Sequence, residues 1–433
     1  MYVRACYIIA LSALSVHFPD PKTYQPILQP FPTNTLPPTL VYLNQAYESE
    51  LWCRANFTTA MASKTPKNRA AWIQTKPESP LEIRETPYTK PGKGQVVIRN
   101  HAAAINPVDW ILQVMGGAMF RYLKYPIILG FDVAGEVVEV GEDVTTLAVG
   151  DRVVGTASGL DKIVNDPTEA GFQEYVVLRT VVTSKLPDSI SYTDACVLPL
   201  GLATAATGLY SKNMLALSPP KPHPKPNGET IVIWGGSTSV GNCAIQMAVA
   251  SGYEVVTTCS PRNFDKVKKL GAAYAFDYNS KTTVKDIIEV LKDKKNAGAL
   301  AIGNLSTEAC IDIVAASKGK KFVAQASQSL RGGMPSTRAA FLSALPSFFY
   351  YMFVAWLKCK WTGVGAAFIW GGEPIGTEVG PMVFNDFLPE AMAEGTFVPA
   401  PEAQVVGHGL ESLQEAFDIQ KQGVSAKKIV ITL

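Results

Sequence analysis

ETIVIWGGSTSVGNCAIQMAVASGYEVVTTCSPRN, residues 229–263, reads as a strand, a glycine-rich turn, a small-residue helix and a second strand. That is the order a nucleotide-binding βαβ unit requires. Ile231 to Trp234 is a short apolar run suited to a buried parallel strand, and Gly235, Gly236 and Gly241 let the backbone turn tightly beside a pyrophosphate. Phosphates sit well at a helix N-terminus, where unpaired N–H groups and the positive end of the dipole favour an anion. The hydroxyls of Ser237, Thr238 and Ser239 add donors there, and Val240, Ala244, Met247 and Ala248 share the helical face expected to pack on the sheet.

A glycine pattern alone also serves purely structural turns, so the context carries the reading. Strand, motif, helix and second strand follow without a break, and the second strand ends about 20 residues beyond the motif, where cofactor choice is made. An Asp or Glu there would bind the 2′-hydroxyl of NAD; this chain has Ser260, Pro261, Arg262 and Asn263. Ser and Asn donors beside a guanidinium suit a 2′-phosphate, which points to NADPH. An ordinary solvated Arg in a turn is the alternative.

The chain has 433 residues, 47% of them hydrophobic and 18% charged, enough for two domains with sizeable cores. A net charge of +2 and the lack of a dense Lys/Arg run with interleaved aromatics argue against nucleic acid as a partner. Lys266, Lys268 and Lys269 read as a solvated helix face. Seven scattered cysteines with no CxxC pair fit neither a disulfide framework nor a zinc ribbon, and a reducing, cytoplasmic compartment is expected. The sequons at Asn56 and Asn304 then read as chance matches.

Two segments stand apart. Residues 1–65 read as an extension outside the folded part, with a targeting segment (Arg4 followed by the apolar Ala5 to Val16) and a structural arm as alternatives; Met61 looks like a natural start. Ala339 to Leu357, AAFLSALPSFFYYMFVAWL, approaches the roughly 20 apolar residues of a membrane span. Pro346, flanked by Ser343 and Ser347, argues against a span, so a buried or substrate-facing insertion is expected, with membrane contact as the alternative.

From Arg69 the chain is strand-rich, with strands expected at Ala70 to Gln74, Gln95 to His101 and Val133 to Val140. Gly150 to Val154 turns into a strand and Gly171 to Val177 forms another. After Pro187 it turns helical, through Tyr192 to Leu198 and Leu202 to Tyr210, and a Pro-rich loop, Ser218 to Pro226, leads into the glycine-rich unit. Further βα alternation through Ala324 implies a parallel, doubly wound sheet. The tail, Val383 to Leu433, shows two amphipathic helical patterns and a closing strand, Lys428 to Thr432.

These segments, in this order, resemble the medium-chain dehydrogenase/reductase superfamily over nearly all of Arg69 to Leu433. Its carriers are Asn106-Pro107-Val108-Asp109-Trp110, Gly130-Phe131-Asp132-Val133-Ala134-Gly135-Glu136-Val137, Gly150-Asp151-Arg152-Val153, Leu198-Pro199-Leu200-Gly201, the glycine motif and Gly423-Val424-Ser425-Ala426-Lys427-Lys428. The resemblance implies an α/β fold in which a Rossmann doubly wound parallel sheet, 206–372, is inserted in a β-rich GroES-like catalytic domain made of 66–205 and 373–433. The site would lie in the cleft between them.

Zinc members of that superfamily carry Cys where this chain has Asn106, and Gly-His-Glu where it has Gly130-Phe131-Asp132. No Cys stands near Gly201, 156–170 lacks the four cysteines of a structural zinc lobe, and Cys196 and the histidines 17, 101, 223 and 408 are too scattered to substitute. No metal is expected, and His101 reads as structural. Without a Lewis acid, reduction of an activated C=C or a quinone is favoured over alcohol oxidation.

The nearest subgroup by resemblance holds fungal trans-acting enoyl reductases and secondary-metabolite dehydrogenases. It implies hydride transfer from NADPH to an enone or enoyl thioester, and a polyketide synthase as a partner. It places Asn106 to Trp110 beside the nicotinamide, Ser237 to Val240 on the pyrophosphate, Ser260 to Asn263 on the 2′-phosphate and Tyr278 near the adenine ribose. Val424 and Ser425 reach back to the cofactor, and Leu198 to Ala205, with Leu200, Gly201 and Thr204, line the acyl pocket. Relatives tend to have Lys after NPVDW where this chain has Ile111, which puts that role in doubt. Tyr122 and Tyr125 are weighed as proton donors against a structural role, and no catalytic acid is assigned. A quinone oxidoreductase, a zinc-free alcohol dehydrogenase and a non-catalytic NADPH-binding module are the alternatives; monomer and homodimer both stay open.

Overall fold

The computed structural model describes residues 66–74, 79–116, 120–330 and 335–433. The extension expected over 1–65, with Met61 and Asn56, lies outside them. Pro66–Leu433 is one compact unit.

Its centre is a parallel sheet. The strands β9 (Glu229–Trp234), β10 (Glu254–Cys259), β11 (Tyr274–Asp277), β12 (Lys295–Ala301), β14 (Phe322–Gln325) and β15 (Gly365–Phe368) lie in the order β11-β10-β9-β12-β14-β15, with the short β13 (Lys318–Gly319) beside β12. Every pairing is parallel. The order reverses at β9, the doubly wound arrangement whose crevice beyond the strand ends takes a dinucleotide. Side chains alternate between the two faces: Ile231, Ile233 and Val255 enter one core with the helices Pro199–Tyr210 and Ser239–Ala250, while Val232, Trp234 and Val256 enter another under the helix Ser306–Ala316. Burial on both faces is why these strands read as unbroken apolar runs.

A second, mostly antiparallel sheet runs in the order β16-β17-β3-β5-β6-β8, with β7 beside β3. It is built from β3 (Gln95–Ala104), β5 (Asp132–Val140), β6 (Arg152–Thr156), β7 (Tyr175–Arg179) and β8 (Thr183–Lys185), then β16 (Glu402–His408) and β17 (Lys427–Thr432). The chain thus leaves this sheet after β8, builds the parallel sheet and returns for β16 and β17. A three-stranded sheet, β2-β1-β4, caps it: β1 (Asn68–Ile73), β2 (Glu82–Thr86) and β4 (Ile127–Ile128).

The structure corrects several expectations. In the tail both helical patterns are helices, Leu388–Ala393 continued back through the π-helical Met382–Phe387, and Leu413–Gln422; strand β16, Glu402–His408, lies between them and was not expected, since its half-exposed edge position leaves no clean alternation. The helix Pro107–Met115 and strands β2, β4 and β15 were not anticipated; they are short and owe their form to their neighbours. The Ala339 to Leu357 insertion, expected to be buried or substrate-facing, is not buried. It is the centre of a continuous helix, Arg338–Thr362, in which no residue is buried. Pro346 falls in its third turn, where the lost N–H and the ring's clash with the preceding turn are borne without ending the helix.

Candidate functional site

The turn between β9 and the helix Ser239–Ala250 is fixed by glycine. Gly235 has φ +89°, and a Cβ there would stand 2.5 Å from the Ile302 carbonyl oxygen; at Gly241 it would meet the Gly235 oxygen at 2.3 Å, and at Gly236 the Thr257 Oγ1 at 2.1 Å. Thr238 caps the helix, its Oγ1 accepting from Gly241 N at 3.0 Å. The first helical N–H groups, which have no partner within the helix, therefore open beside Ser237 and Ser239 onto a cavity of about 1200 Å³. A cradle of this shape fits a dinucleotide pyrophosphate.

The cavity gathers nearly all of the sequence-derived positions. Gly235, Ser237, Thr238, Ser239 and Val240 line it from the turn, Ser260, Arg262 and Asn263 from the end of β10, and Tyr278 from beyond β11. Asn106, Pro107 and Val108 enter from the start of their helix, and Val424 and Ser425 from the loop before β17. Arg262 Nη2 donates to Ser425 Oγ at 2.9 Å, so the expected 2′-phosphate residue and the C-terminal loop touch. Ser260 Oγ stands 3.4 Å from the Tyr278 hydroxyl.

Of the cofactor positions, Asp109, Trp110, Gly236, Gly241 and Pro261 do not line the cavity, and of Leu198 to Ala205 only Leu200, Gly201, Ala203 and Thr204 do. Gly236 and Gly241 act through the backbone packing described above, and Pro261 opens an exposed 3₁₀ turn. Asp109 corrects its expected place beside the nicotinamide. It is fully buried, and its Oδ2 accepts the Asn106 N–H at 2.7 Å, holding the first turn of the helix Pro107–Met115. Burial pushes its carboxyl up to about 8.

The half of the cavity expected to take the acyl chain is apolar. Leu200, Gly201 and Thr204 line it from the helix Pro199–Tyr210; a Cβ at Gly201 would lie 3.2 Å from the Ser239 backbone, so glycine lets this helix approach the glycine turn. Ile111, Phe120, Tyr122, Phe131 and Trp370 complete the wall, Phe120 and Trp370 edge to face at 5.4 Å. The Tyr122 hydroxyl donates to the Leu160 carbonyl at 2.9 Å, and burial raises it to about 12. Tyr125 does not line the cavity, and burial raises its hydroxyl too. His101 stacks on Tyr192 at 4.7 Å, away from the cavity, and burial lowers its pKa.

Sequence reasoning passed over two residues. Lys428, quoted within a motif but given no role, is buried and bonded to two residues: its Nζ lies 2.8 Å from Asp132 Oδ2 and donates to Asn106 Oδ1 at 2.5 Å. Asn106 Nδ2 also donates to Asp132 Oδ2 at 2.9 Å, and Asp132 Oδ1 accepts the Leu200 N–H at 2.6 Å. By the resemblance, Asn106 stands where zinc members carry a Cys ligand, and Phe131, next to Asp132, where they carry a His. An ammonium bonded to both Asn106 and Asp132 repels a divalent cation and takes up the carboxylate, so this donor set does not fit zinc. Among the described residues, no group of three His, Cys, Asp or Glu is placed to hold a metal. The second residue is Thr156, which lines the cavity and whose buried hydroxyl has no hydrogen-bond partner among the described residues. A Thr at the end of a strand gives no signal in sequence.

Residues 92–188 match the alcohol dehydrogenase GroES-like domain, and residues 239–331 match the zinc-binding dehydrogenase domain. The chain is 49% identical over 369 residues to dehydrogenase pigH of Monascus ruber, covering 85% of this chain and 100% of that one. It is 37% identical to trans-enoyl reductase himH of Aspergillus japonicus, covering 84% and 97%. An alcohol dehydrogenase superfamily protein from Novosphingobium aromaticivorans shares its fold, with a TM-score of 0.62 at 22% identity over 84% of this chain and 99% of that structure.

Proposed function

The chain belongs to the medium-chain dehydrogenase/reductase superfamily and is one of its oxidoreductases, and from that premise we propose that it is an NADPH-dependent, zinc-free reductase of an activated C=C bond, in an enone or an enoyl thioester. The observation that carries the reading is the single cavity in which the glycine turn, the Ser260 to Asn263 cluster and the apolar pocket around Leu200 and Thr204 meet.

NADPH, when bound, supplies the hydride. The residues that would hold it are Ser237 to Val240 for the pyrophosphate, Ser260, Arg262 and Asn263 for the 2′-phosphate, Tyr278 for the adenine ribose, and Asn106 to Val108 with Val424 and Ser425 for the nicotinamide half. Arg262 and the neighbouring hydroxyls favour the phosphorylated cofactor, since no carboxylate stands in the Ser260 to Asn263 cluster to repel it. The apolar wall excludes water and holds the acyl chain.

As the β-carbon gains hydride, the electron pair of the C=C bond moves to the carbonyl oxygen as an enolate, which a proton from solvent then quenches at the α-carbon, and the site must offer the oxygen a donor. Thr156 is our candidate: an unpaired buried hydroxyl costs about 1–3 kcal/mol, which a ligand oxygen would offset. Lys428 and Asp132 act one step back, fixing the Asn106 side chain and the first turn of the acyl-pocket helix. The trans-enoyl reductase relatives support a carrier-bound acyl substrate, and with it a polyketide synthase as partner.

The test is NADPH oxidation by the purified full chain, with NADH in parallel, against enoyl thioesters, enones and quinones. Thioester turnover with NADPH is the expected result. Turnover of quinones alone would transfer the protein to the quinone oxidoreductases, and cofactor binding without turnover of any of them would make it a sensing module.

A further inference from the structure

The helix Arg338–Thr362 presents a surface that the oxidoreductase reading does not use. Over 25 residues it is apolar nearly all round, and its hydropathy and length meet the criteria of a membrane-crossing helix. A helix of that character belongs in a protein core or in lipid, yet none of its residues is buried. Phe349 and Tyr350 are each 62% exposed, Phe353 and Trp356 more than half, and Trp361 83%. Patches of such size on a soluble surface mark an interaction site.

Two observations say what covers it. First, residues 338–362 contain no Asp or Glu, and their charges, Arg338, Lys358 and Lys360, stand at the two ends with Trp356 and Trp361 near the second. Cations and tryptophans at the margins of an apolar stretch are what the headgroup region of a bilayer selects. Second, Phe341, Leu345 and Phe348 in the first half of the helix line the cavity, and Leu345 is also exposed to solvent. The exposed face therefore adjoins the apolar pocket.

The helix cannot span. It lies between β14 and β15, neighbours in one sheet, with Phe322 opposite Gly365. Lys358 near its end is held 2.6 Å from Asp312, and Phe341 near its start packs on the barrel core. Both ends are therefore kept on the same side of any membrane. We propose that the exposed face of Arg338–Thr362 docks the protein flat on a lipid bilayer surface, with the mouth of the cavity turned toward the lipid. The docking does not depend on which substrate the cavity takes.

The experiment is sedimentation of the full chain with vesicles of phosphatidylcholine and phosphatidylserine, beside the triple variant Phe349→Ser, Phe353→Ser, Trp356→Ser. The intact protein is expected to sediment with the vesicles, and the variant to bind more than about tenfold more weakly, a change of 1.4 kcal/mol or more. Monodispersity and stabilisation by NADPH, checked on the variant, separate lost docking from lost folding. Absence of vesicle binding by the intact protein would overturn the proposal. So would vesicle binding undiminished in a folded variant, or a concentration-dependent dimer that the same substitutions dissolve.

Discussion

The Lys428 ammonium lies 2.8 Å from Asp132 Oδ2, with both side chains almost wholly closed to solvent. Two charges so deeply withdrawn from water persist because each is also hydrogen-bonded, Lys428 to Asn106 and Asp132 to Asn106 and the Leu200 N–H. The pair joins β17, β5 and the first turn of the helix Pro199–Tyr210, so it ties three walls of the cavity to one point. Removing one member leaves the other charged and alone. Lys428→Met is expected to cost about 3–5 kcal/mol in denaturant unfolding, and Lys428→Met with Asp132→Asn distinctly less.

Asp109 gives a pH signature. Its folded carboxyl is raised to about 8, chiefly by burial, with the nearby Asp132 adding to the rise and Lys428 opposing it. A raised acid binds its proton more tightly in the folded chain, so its contribution to stability is complete below its unfolded value near 4 and is lost as pH rises through about 8. Asp109→Asn mimics the protonated form and keeps an acceptor for the Asn106 N–H. Thermal unfolding between pH 5 and 9, as about the interval in which the two forms diverge, is expected to show a flatter stability profile in the variant and higher stability than the parent at the alkaline end.

Arg262→Ala tests the cofactor assignment. Loss of a charge-assisted contact to a 2′-phosphate is worth about 1.5–3 kcal/mol, and so raises the KM for NADPH about 10- to 100-fold. The KM for NADH is expected to stay unchanged, since that cofactor has no phosphate there. An equal rise for both would mean that Arg262 holds the Ser425 loop rather than the cofactor.

Gly241→Ala asks whether the glycine turn is as tight as its geometry. The added Cβ would meet backbone atoms at 2.3 and 2.7 Å, which cannot swing aside as a side chain can. A loss of about 1–3 kcal/mol in stability is expected, with cofactor affinity reduced, as read by calorimetry with NADPH.

Thr156→Val separates structure from chemistry. Removing a buried hydroxyl that has no partner is expected to raise stability by about 1 kcal/mol. Turnover of an enone is expected to fall about tenfold or more while NADPH affinity holds. A variant more stable and equally active would end the role proposed for this hydroxyl.

The parts of the fold legible in sequence are those in which local signals agree with the global structure. The glycine turn, the βα alternation and the strands buried on both faces announce themselves, because continuous apolar runs and obligatory glycines have few other uses. Most of the cavity lining follows, since turn residues inherit their place from the elements beside them. Asp109 misled because proximity in sequence to Asn106 does not say which way a carboxylate folds. Lys428 and Thr156 were silent for a different reason: their significance comes from neighbours met only in three dimensions, 322 residues away in the case of Lys428 and Asn106. The helix Arg338–Thr362 declared its apolarity but not its exposure, since composition alone does not distinguish a core from a surface.

The strand β17 joins the antiparallel sheet by pairing with β3, Val430 opposite Ala104 and Thr432 opposite Ala102. On the ribosome these partners emerge far apart in time. β9 to β15, contiguous in the chain from Glu229 to Phe368, have every strand of their sheet available well before residue 427 is made. The parallel sheet is therefore free to assemble first, while Ala102 to Ala104 of β3, beyond the reach of β7, wait for their partner and Asp132 waits without its cation. Domains tend to fold as they emerge, and the polar knot of the site, which needs Lys428, can be tied only at the end.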